Sequence, residues 1–174
     1  VLESIRSKLK SMETIRLLCE MAETYALRDG EQEPGAEHLL LAAFDLPDGT
    51  ARLAFERVGA DPLALRAAVA DQYDDALRAM GIDSENMPEI TGTSPLRAKR
   101  GAFAAAPSGQ EVMQELSARR GNHRPLLGAH VVAVVADMPH GVVARALRGM
   151  GIDRDALKAE AEAVARVCEH RRTH

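Results

Sequence analysis

Apolar positions recur three and four residues apart along most of this chain, and polar stretches rich in Gly and Pro interrupt them. That pattern predicts a string of amphipathic helices rather than strands. Leu2, Ile5 and Leu9 stand at helical spacing and form either a lead-in helix or an extension of the next one. Ser11 is placed to cap a helix over residues 12–28, with Ile15, Leu18, Cys19, Ala22, Tyr25 and Ala26 as its apolar face. Residues 29–35 then break the periodicity as a polar loop. A short helix over 36–44 is apolar nearly all round, which predicts the most buried element of its half. A third helix is expected from about 48 to 59. Asp61-Pro62 supplies a cap acceptor and an initial proline for a long fourth helix striped with Leu65, Val69, Tyr73, Leu77 and Met80.

The same order returns 92 residues later. Without a gap, His38/His130, Asp45/Asp137, Pro47/Pro139, Gly49/Gly141, Gly59/Gly151, Asp61/Asp153 and Leu65/Leu157 coincide. Between the two Gly marks, Ala51, Ala54, Phe55 and Val58 become Val143, Ala146, Leu147 and Met150, so the apolar register is kept. Helices are therefore expected near 109–120, 129–136, 140–149 and 153–169. Such an internal repeat means one supersecondary unit packed on its twin. The expected organisation is a lead-in over 1–11, a first four-helix repeat over 12–80, a linker over 81–108 and a second four-helix repeat over 109–170. The expected fold class is all-α: two pseudo-symmetric four-helix repeats packed together.

Composition sharpens this reading. Of the 174 residues only 3% are aromatic and none is Trp, so Ala, Leu, Val and Met fill the core. Small and unbranched apolar residues suit close helix packing more than sheets. A formal charge of −4 speaks against a general polyanion binder. Cys19 and Cys168 form no CxxC pair and read as reduced thiols on apolar faces. No apolar run reaches the length of a membrane span and no signal-peptide pattern opens the sequence, so a cytoplasmic location is expected.

Three stretches now carry a family likeness: Gly35-Ala36-Glu37-His38-Leu39-Leu40-Leu41, then Asp48-Gly49, then Val58-Gly59-Ala60-Asp61. In order, spacing and duplication they resemble the N-terminal domain of the Clp/Hsp100 unfoldases, over roughly residues 12–168. The resemblance implies a non-catalytic docking module of the Clp chaperone and protease system. Such modules receive substrates, degrons, adaptor proteins or, in one branch, phosphorylated arginine. It places the docking carboxylate at Glu37, with Glu31 and Gln32 in the preceding turn as further peptide- or adaptor-binding candidates. Two departures stand out. Ala129 replaces the glutamate in the second copy, so recognition of a cationic group should be one-sided. No GxxxxGK[ST] phosphate loop occurs, so these residues are not expected to hydrolyse ATP.

The remaining chemistry reads mostly as structure. Glu37 opens a helix, where the dipole favours a carboxylate whatever its function. His38 and His130, at matching places, are expected to satisfy local backbone groups. Asp45, Asp137 and Asp48 read as turn and cap residues. His170 and His174 lack the converging ligands of a metal centre, and the basic cluster 97–100 lacks an aromatic platform beyond Phe103. Met80, Met113 and Met150 are expected in the core, whereas Met87 and Met138 fall at bends where a thioether could meet a peptide. The expectation is no cofactor, no metal, no nucleic acid and no membrane, with a protein or peptide as partner (Clp substrates, adaptors or Clp subunits). The rivals are a DNA-associated or regulatory protein on the same fold, which should show a recognition helix rich in Arg, Asn and Gln, and a helical hydrolase using Glu37 and His38.

Overall fold

The computed structural model describes residues 2–82, 103–121 and 125–170. Among the described residues eight helices follow one another in the order α1 (Leu2–Arg28), α2 (Ala36–Asp45), α3 (Thr50–Arg57), α4 (Ala64–Ala79), α5 (Pro107–Ala118), α6 (Gly128–Asp137), α7 (Val142–Gly149) and α8 (Arg154–His170). No strand occurs among the described residues. The fold is all-helical, two four-helix repeats packed together, as the duplicated pattern predicts.

The lead-in and first helix are one uninterrupted element. Ser11 does not cap it: its hydroxyl donates to the Ser7 carbonyl one turn back (3.0 Å) and accepts from the Leu126 N–H (3.0 Å). With no Gly or Pro between Leu2 and Arg28, nothing stops the helix from propagating through Ser11. Helices α3 and α7 start two residues later than their apolar patterns suggest, because Gly49 and Gly141 hold positive φ just before them. Gly59 and Gly151 both sit at φ +71°, the left-handed residue that ends a helix. These repeated glycines mark turns only glycine makes without strain.

The core is built around α2 and α6, which pack on each other and are buried through Ala36–Phe44 and Gly128–Ala136 respectively. Leu39, Leu40, Phe55, Leu65, Val131, Val132, Leu147 and Leu157 are essentially inaccessible. Contacts then cross between the repeats: α3 lies on α8, α4 on α7, and α3 on α6. Phe44 and Phe55 meet edge to face with ring centroids 4.8 Å apart, an arrangement the ring quadrupoles favour. Met113 and Met150 pack against this core. Met80 does not: it is two-thirds exposed at the end of α4, since that end of the helix runs past the body. Met87 and the cluster 97–100 lie outside the described residues.

The two halves differ in one respect that matters. Helix α8 packs closely along α6, whereas its counterpart α4 makes little contact with α2. Residues Leu157, Ala161, Val164 and Ala165 of α8 are buried; in α4 only Leu65 and Val69 are.

Candidate functional site

At the N-terminus of each central helix the chain makes the same local knot. The Gly35 N–H donates to Nδ1 of His38 (2.9 Å), and the Leu127 N–H donates to Nδ1 of His130 (3.0 Å). Each histidine thus closes a capping box three residues into its helix, in the place usually taken by Glu or Gln. An Nδ1 that accepts puts the proton of the neutral ring on Nε2. That atom faces a carboxylate in both halves: Asp29 at 3.3 Å from His38, Glu169 at 3.4 Å from His130. The repeated histidines hold backbone, as expected, and His38 offers no free base for hydrolytic chemistry.

Beside this shared knot the halves diverge at three coupled positions. On the first side, Glu37 is buried, and its Oε1 accepts a 2.7 Å hydrogen bond from the Tyr73 hydroxyl on α4. Its carboxylate folds back over Gly35, where an added Cβ would lie 2.6 Å from Oε2. On the second side, Leu127 replaces Gly35, Ala129 replaces Glu37 and Ala165 replaces Tyr73. There Leu127, Ala129, Val164 and Ala165 form a closed apolar cluster. One side is filled by apolar side chains; the other is polar, with Tyr73 standing over Glu37.

The polar side forms a cleft of about 340 Å³ between the repeats. Glu31, Gly35, Glu37 and Tyr73 come from the first repeat, while Met138, His140 and Arg145 come from the turn before α7 and from α7 itself. Ser108, at the start of α5, accepts the Ala36 N–H (3.1 Å). The equivalent position on the other side is plugged. Asp48 accepts the Gly128 N–H (3.1 Å), Thr50 accepts the Ala129 N–H (2.8 Å), and the two side chains bond each other. Their counterparts in the cleft are His140 and Val142, neither of which brings a carboxylate to the α2 terminus.

Of the residues singled out in the sequence, Glu37 and Glu31 come together at this cleft. Glu37 is buried at the start of α2. Gln32 is exposed and is not among the lining residues. Burial first, and then the Glu37 and Glu31 carboxylates, push the Tyr73 phenol well above its usual range, so Tyr73 remains a hydrogen-bond donor to the pair. Glu31, Glu37 and His38 bring potential metal-ligating atoms within 4.8 Å of one another. With His38 Nδ1 committed to the Gly35 N–H, two carboxylates remain, fewer than the converging ligands of a structural metal centre. What the cleft offers is two carboxylate acceptors, buried Glu37 and half-buried Glu31, together with the guanidinium of Arg145. Such a site suits a guanidinium or ammonium group reaching in from a polypeptide.

Sequence reasoning missed Tyr73, Gly35 and Arg145. Tyr73 reads as one more stripe residue, and its partner is 36 positions away. A clue was present in the repeat itself: the exchanges Gly35/Leu127, Glu37/Ala129 and Tyr73/Ala165 all fall at the same offset. Met138, placed at a bend, is buried and lines the cleft. Asp45 and Asp137, at the ends of α2 and α6, also accept hydrogen bonds from other helices. Asp45 accepts from the Tyr25 hydroxyl (2.5 Å) and Arg52 (3.0 Å), and Asp137 from Lys158 (2.8 Å) and Arg119 (3.3 Å).

Among the described residues no single helix is long and apolar enough to cross a membrane. Compared with known proteins, residues 13–96 match the family model of the Clp repeat (R) N-terminal domain. No curated protein matches the chain.

Proposed function

Through residues 13–96 the chain belongs to the Clp repeat N-terminal domain family, and from that premise we propose a non-catalytic docking module of the Clp system. Its task is to capture substrates, degrons or adaptor proteins. The units that do so are the first repeat, residues 12–80, and the second, residues 109–170. The observation that carries the reading is the cleft lined by Glu37, fixed by Tyr73, together with Glu31 and Arg145. A basic side chain of the partner enters there and pairs with the two carboxylates, while Met138 and Val142 cover its aliphatic stem. A phosphorylated arginine would add a contact between its phosphate and Arg145. Because the opposite side is plugged by Asp48 and Thr50, each chain takes one such group. The free thiols Cys19 and Cys168 fit a reducing compartment, the cytoplasm being the simplest.

Titration calorimetry with short arginine-containing peptides, plain and arginine-phosphorylated, tests this. Binding is expected at a stoichiometry of one, weakened about 10- to 100-fold by Glu37→Gln, the loss of a charge-assisted pair worth roughly 1.5–3 kcal/mol. Equal affinity of the wild type and Glu37→Gln, or two equivalent sites, refutes the assignment.

A further inference from the structure

The repeat does not need all of α1. Its counterpart α5 has 12 residues against 27 in α1, so the first turns of α1 have no equivalent in the second repeat. The first buried residue of α1 is Thr14, and nothing between Leu2 and Glu13 is buried. Apart from the Ser11 hydroxyl, which accepts the Leu126 N–H, this dozen residues is left unburied, and so short a segment makes a marginal helix in water. Yet this segment carries Leu2, Ile5, Leu9 and Met12, which are 83%, 50%, 62% and 66% exposed.

Their spacing of three, four and three residues is the a/d seam of a coiled coil, with Leu2 and Leu9 at a and Ile5 and Met12 at d. At 100° per residue this seam lies on the side of α1 opposite Ser7, Ser11, Thr14 and Leu18, the face turned to the body. A partner helix therefore reaches it without meeting the body. The seam ends at Arg16, the next a position, which is exposed and paired with Glu20 at 3.1 Å.

We propose that residues 2–13 are a self-association seam, joining two copies of this chain through a short parallel coiled coil. The flanking charges select both the partner and the direction. Lys8 stands at g and Glu13 at the e position of the following heptad, so in a parallel pair Lys8 of each copy faces Glu13 of the other. An antiparallel pair that sets Leu2 against Met12 and Ile5 against Leu9 brings Arg6 near Arg6 and Lys8 near Lys8. Like charges there oppose association. Two heptads give a weak dimer, with a dissociation constant on the order of 100 μM, and the pair brings two client clefts into one particle.

Sedimentation equilibrium on the full chain over about 10 μM to 1 mM is expected to show a mass rising from 18.8 kDa toward twice that value. Leu9→Glu, which touches no part of the folded body, is expected to abolish the rise without moving the thermal midpoint. Lys8→Glu alone weakens the dimer several-fold, and the double swap Lys8→Glu/Glu13→Lys restores it. In a Cys19→Ser/Cys168→Ser background, Ile5→Cys is expected to cross-link to itself on mild oxidation. A chain that stays monomeric to 1 mM, a dimer indifferent to Leu9→Glu, or cross-linking of Ile5→Cys only to Leu9→Cys overturns the proposal.

Discussion

Replacing Gly35 with alanine is the sharpest probe of how the cleft is built. The backbone at Gly35 is extended (φ −90°, ψ −176°), so alanine meets no conformational penalty there. The new Cβ instead falls 2.6 Å from Oε2, 2.8 Å from Oε1 and 2.9 Å from Cδ of Glu37, contacts no real structure sustains. The carboxylate must swing away and give up the Tyr73 hydrogen bond. A hydrogen bond to a charged group contributes about 1.5–3 kcal/mol when buried, and the exposure of Tyr73 reduces this to roughly 1 kcal/mol. For a chain of this length that is a fall of about 2–4 °C in thermal midpoint. The second repeat shows how the penalty disappears, since Leu127 is accommodated where Ala129 leaves the space empty. Gly35→Ala should therefore be close to neutral in a Glu37→Ala background. Urea unfolding of the wild type, both single variants and the double variant forms a complete cycle, with an expected coupling of about 1 kcal/mol. Strictly additive effects would refute the view that Gly35 is glycine because Glu37 lies over it.

Other outcomes follow from the same packing. Asp48→Ala and Thr50→Val each remove an acceptor from the α6 terminus and should cost about 1 kcal/mol, measured by chemical denaturation. The pairing of Asp137 with Lys158, then with Arg119, lowers its pKa in the folded state. Its stabilising effect is thus present above the unfolded carboxylate range and lost as pH falls through the lower folded value. Asp137→Asn should flatten the acid limb of a stability-versus-pH curve below about pH 4. Burial, reinforced by Glu23 and Glu20, pushes the Cys19 thiol up to about 11; alkylation at pH 8 should be far slower than for an ordinary thiol, as peptide mass mapping would show.

The helices were legible because their apolar positions recur in register twice, so each copy supports the reading of the other. The continuity of α1 was not, since Ser11 has the chemistry of a cap and only its bonds to Ser7 and Leu126 reveal a mid-helix residue. Glu37 could be found from its motif, but not its burial. That depends on Tyr73, which reaches it from another helix, and on the α7 side of the cleft, more than a hundred residues away. Local periodicity carries no information about which distant side chain fills a given space. The coupled exchanges across the repeat were the one trace of it in the sequence.

The plug at the start of α6 has a consequence for the duplicated architecture. Asp48 and Thr50 belong to one copy, and the amides they satisfy belong to the other, so the central helix of the second unit is completed by residues outside it. Two repeats joined in this way are no longer modular beads. Expressed alone, the later copy would present raw amides and an uncovered apolar flank, whereas two severed fragments mixed together hold the means to reassemble.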